Sequence, residues 1–73
     1  MVTSATIAQV IKTRFRLVQL PFDLTMTDAG LKHEDLLTLH QLLARNFYHA
    51  PKDVRFTDTV YTLTEKINDK EGN

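Results

Sequence analysis

The chain of 73 residues has no cysteine and no tryptophan, and only two glycines and two prolines. Without cysteine, neither a disulfide framework nor a thiolate zinc site can hold the fold, so apolar burial must. The glycines stand at 30 and 72, which leaves no glycine-rich phosphate loop, and Ser4 is the single serine that could act as a nucleophile. No run approaches the roughly 18 apolar residues of a membrane span, and MVTSATIAQVIKT lacks a basic start followed by a long apolar core. A soluble cytoplasmic protein is the expectation. An excess of charge is missing too: nine Lys and Arg face nine Asp and Glu, whereas generic nucleic-acid binding shows a basic excess.

What is present is a hydrophobic fraction of 42%, in a domain small enough to bury only about 60% of its unfolded surface. A small-molecule pocket of roughly 300 Å³ would consume much of such a core. The surface is therefore the expected working part. Charge is segregated along the chain: residues 1–22 carry Lys12, Arg14 and Arg16 and no acid, and the remainder carries nine acids against six bases.

In KTRFRLVQLPFDL the apolar residues sit at odd positions through Phe15 and Leu17. From Val18 they sit at even ones, through Leu20, Phe22, Leu24 and Met26. Such alternation predicts strands over 13–20 and 22–27, with a β-bulge at the change of phase and Pro21 at an edge or break. Ile7, Val10 and Ile11 fit a helical turn or a strand start equally well. Leu36, Leu39, Leu43 and Phe47 recur at helical spacing, widened by Leu37, His40 and Leu42, and predict a helix over 32–47 with acids in its first turn and Arg45 near its end. Phe56, Val60, Leu63 and Ile67 predict a second helix over 53–68 despite many β-branched residues. The expected fold is α+β: a short two-stranded N-terminal segment packed on an antiparallel helix pair. It forms one domain over 1–73, with 1–6 and 69–73 flexible.

Motifs for chemistry fail on spacing. His33-Glu34 opens like a zinc-protease signature, but the second histidine would fall on Leu37, and His40 lies about 10 Å further along a helix axis. His49 has no evident partner. Asp23, Asp28, Glu34 and Asp35 lack the alternation of a calcium loop. No catalytic, cofactor or metal residue is assigned, and a non-enzymatic protein is expected. A helix-turn-helix reading meets Asp58, Glu65 and Asp69 on the outer face of the second helix, and a connection, NFYHAPKD, longer than that motif uses. Direct nucleic-acid binding is disfavoured. Protein binding fits better: an edge strand can accept a partner strand, with Arg14 and Arg16 selecting an acidic one, although such arginines also guard edges against pairing. The candidate partner-binding residues are Lys12, Arg14, Arg16, Tyr48, Lys52 and Arg55, on a chain expected to be monomeric.

By size, neutral charge and the stretches TRFRLVQLPFDLTMTD and LLTLHQLLARNFYHAPKDV, the chain resembles the small phage-encoded regulators that bind host RNA polymerase, some of which displace sigma or act as antiterminators. That resemblance implies a stoichiometric modulator of transcription initiation or termination, needing no cofactor and occupying a surface of the polymerase. It transfers no functional residue. A DNA-binding repressor and a viral assembly protein are the competing classes.

Overall fold

A computed structural model describes residues 1–47 and 53–72, and it is all-α: helix α1 over Ser4–Phe15, α2 over His33–Phe47 and α3 over Val60–Gly72. The expected α+β architecture is corrected on its strand half. Residues 13–20 divide between the end of α1 and a loop, and 22–27 is loop. Among the described residues the β pairing is confined to one antiparallel bridge, Thr25 to Thr59.

The physical reason lies in α1. Ile7, Ile11 and Phe15 repeat every four residues, and Ile7, Ala8 and Ile11 are buried while Phe15 packs at the core's margin. Thr3 caps the start, its Oγ1 accepting from the Thr6 N–H at 3.3 Å. At the other end Arg16 takes left-handed dihedrals (φ 57°, ψ 45°), and the Leu17 N–H donates back to the Lys12 carbonyl at 3.0 Å. This closing turn has the form that usually places glycine at Arg16's position. The change of phase at Leu17 and Val18 is therefore the end of a helix, and no β-bulge is present there.

Beyond it, the even-numbered residues do turn inward in part. Leu20 and Met26 are buried and Phe22 and Leu24 half-buried, but Val18 is 98% exposed. This loop is pinned to the segment before α3 and to the helix's first turn: the Met26 N–H donates to the Asp58 carbonyl at 2.9 Å and the Tyr61 N–H to the Phe22 carbonyl at 3.3 Å.

Helix α2 begins where the Asp35 carboxylate reaches back to the Lys32 N–H at 2.8 Å, one half of a capping box. Leu39 and Leu43 are fully buried, whereas Leu37, which the spacing places on the apolar stripe, is 66% exposed. Helix α3 starts seven residues later than the predicted 53. Thr59 and Thr62 cap it reciprocally: the Thr59 N–H donates to Thr62 Oγ1 at 2.8 Å, and the Thr62 N–H to Thr59 Oγ1 at 3.2 Å. Side-chain oxygens that bind nearby backbone compete with helix, which halts α3 at Thr59 and leaves Phe56 outside it. Val60, Leu63 and Ile67 then fill the core.

Helix α1 runs antiparallel to α3. Val2 exchanges two hydrogen bonds of 2.9 Å with the Asn68 side chain, and the Ser4 and Thr64 hydroxyls meet at 2.9 Å. Helix α2 starts at the same end as α3, His33 lying 6.3 Å from the Phe56 ring. The pair therefore runs in the same direction, not antiparallel as expected from sequence.

Candidate functional site

Once 13–16 is a helix end, the arginines separate. Successive helical residues turn by about 100°, so Arg14 points to the opposite side from Lys12, and Arg16 has already left the helix in its left-handed closing turn. There is no shared strand edge for them to occupy, and docking by strand addition loses its basis.

Arg14 turns instead toward α2. The cleft between α1 and α2 holds two adjoining hollows of about 280 and 320 Å³ that share Arg14 and Leu42. Helix α1 lines it with Val10 and Thr13 beside Gln9, and α2 with Thr38, Gln41 and Arg45 ahead of Asn46. Residues 9–14 thus face 46–38, which makes the two helices antiparallel. Val10 and Leu42 supply an apolar floor, and Arg14 and Arg45 are both exposed. Among the described residues no carboxylate lines the cleft.

The basic side chains of the cleft differ from those around α3. Among the described residues, ion pairs join Arg55 to Asp53 at 2.7 Å and Lys66 to Asp53 and Asp58 at 3.8 and 2.8 Å; Arg14, Arg16 and Arg45 form none. The Arg14 guanidinium rests 5.6 Å from the centroid of the Phe15 ring, which orients it without neutralising it. Arg16 holds a backbone conformation that a non-glycine residue adopts at some cost.

Of the sequence-derived candidates, Arg14 lies in the cleft. Lys12 lies around the helix from it, Arg16 sits in the turn that closes α1, and Arg55 is already engaged with Asp53 on the far segment. Tyr48 and Lys52 fall outside the described residues, as does His49. Arg45 is the residue the sequence reading passes over, because its place near a helix C-terminus explains it as a partner of the helix dipole. Only the helical path of α1 brings it beside Arg14.

A second polar cluster is structural. Asp58 is buried; its Oδ2 accepts from the Arg55 N–H at 2.9 Å and from Lys66 Nζ at 2.8 Å, and its Oδ1 from the Thr62 hydroxyl at 2.9 Å. Burial alone pushes this carboxyl toward its neutral form, but the Lys66 ammonium and the two further donors outweigh it. The group ends below the usual aspartate range. All its oxygens serve the turn before α3, so it is a fastening for that turn.

Among the described residues no group of His, Cys, Asp or Glu is placed to hold a metal ion, and no helix is long and apolar enough to cross a membrane. No family model, curated protein or solved structure matches the chain.

Proposed function

We propose that this protein is a non-enzymatic regulator that acts by occupying a surface of a partner protein, with the α1–α2 cleft as its docking face. The observation that carries this reading is the pair of exposed arginines, Arg14 and Arg45, which have no ion pair among the described residues and stand on either side of an apolar floor. Arginine over a desolvating apolar patch is a common anchor in protein interfaces. Phosphate recognition alone would have no use for Val10 and Leu42, and the outer face of α3 presents Glu65 and Asp69, which repel a nucleic-acid backbone.

The resemblance to phage regulators supplies a specific partner, a bacterial RNA polymerase, and a mechanism: bound protein alters how sigma or the terminating RNA is held. Reconstituted transcription tests it. Pure protein added in molar excess should change the yield of initiated or terminated transcripts, and the Arg14→Glu, Arg45→Glu double variant should not. Transcript yields indistinguishable from those without protein would remove the polymerase reading.

A further inference from the structure

We infer that the α1–α2 cleft takes one acidic amphipathic helix of the partner protein, which inserts an apolar side chain between Val10 and Leu42 and aligns carboxylates with Arg14 and Arg45. This rests on the reading of the cleft as the docking face and adds the chemistry of what docks.

The geometry selects a helix. Antiparallel helices leave a groove into which a third helix packs its ridges, and along α2 the groove runs from Thr38 to Asn46, about 12 Å or two helical turns. An extended partner adding to a sheet would need a free strand edge, and the β pairing among the described residues is a single isolated bridge that belongs to no strand. Charge selects acid: both rims carry a guanidinium without an ion-pair partner, while Gln9 and Gln41 add neutral amide groups. Glu34 stands one turn beyond Thr38 on the same stripe of α2, so the helix's carboxylates belong at the arginines and not at that end. A basic helix would leave both arginines facing like charge.

The test titrates the intact, isotopically labelled chain with a helix-stapled peptide of about four turns, in which glutamates flank a central leucine, and follows it by NMR. The expected result is saturable binding that moves the backbone amides of Val10, Arg14, Leu42 and Arg45. Affinity should fall about tenfold or more in the Arg14→Glu, Arg45→Glu variant, and binding should vanish when the peptide's glutamates are replaced by lysine. If the double variant loses its helical circular dichroism, the single Arg14→Gln and Arg45→Gln variants are titrated instead and should each weaken binding. Equal binding of the lysine peptide, shifts gathered elsewhere, or no saturation at millimolar peptide overturns the inference. So does a DNA duplex, or a second copy of the chain at rising concentration, that fills the cleft more tightly than the acidic peptide. Arginine-dependent polymerase binding without peptide binding overturns this inference and leaves the proposed function in place; peptide binding without polymerase binding supports the inference and removes polymerase as the partner.

Discussion

Asp58 shows how a buried charge is kept at no evident functional gain. Its three donors leave no buried side-chain polar atom without a partner among the described residues, so an apolar or neutral replacement strands donors rather than removing a burden. Asp58→Asn should destabilise the fold by about 1–3 kcal/mol, read from the urea midpoint at neutral pH. Because the folded carboxyl is more acidic than the unfolded one, its contribution is complete above the usual aspartate range. It is lost as pH falls through the lowered folded value. The gap between wild-type and variant midpoints should therefore close on acidification; a gap that widens toward low pH would mean the carboxylate is not what the turn depends on. Arg14 and Arg45 form the contrast, since no ion pair or hydrogen bond among the described residues requires their charge.

Helix α2 is legible in the sequence because its signals agree: first-turn acids, a leucine stripe and Arg45 near the end all point to one element. Helix α1 is not. Its stripe of Ile7, Ile11 and Phe15 runs into the alternation that begins at Phe15, and Thr6, Ile7, Val10, Ile11 and Thr13 are β-branched residues that favour strand on local preference alone. Tertiary packing decides between the two, through burial of Ile7 and Ile11 against α3 and α2. The alternation from Val18 to Met26 does mark inward-facing residues, Leu20 and Met26 above all, but an extended loop pinned by a few hydrogen bonds produces the same period as a strand. Docking of α1 on α3 has a polar clamp that sequence could not reveal, because Val2 and Asn68 lie at opposite ends of the chain. Asn68→Ala removes both of its bonds and should cost about 1–2 kcal/mol, with faster hydrogen exchange at the amides of the first turn of α1. Unchanged exchange there would show that apolar packing alone holds the two helices together.

Taken as a molecule, the chain is a three-helix arrangement in which α1 crosses between two helices that run the same way, and a long loop seals the end where both begin. The neutral total charge conceals an uneven surface: the α1–α2 cleft is basic, and the outer side of α3 is acidic. The sequence exposes half of that contrast, since residues 1–22 hold cations and no acid. The other half needs the fold, because Arg45 joins Arg14 only across the cleft. Docking of a partner at this cleft is read from the dissociation constant for purified bacterial RNA polymerase. Wild type is compared with Arg14→Glu, Arg45→Glu and with Lys32→Glu, a charge reversal outside the cleft lining. The double reversal should weaken binding at least about tenfold while helical content and the Lys32→Glu affinity stay at the wild-type level. Equal affinities for all three proteins would contradict docking at the cleft.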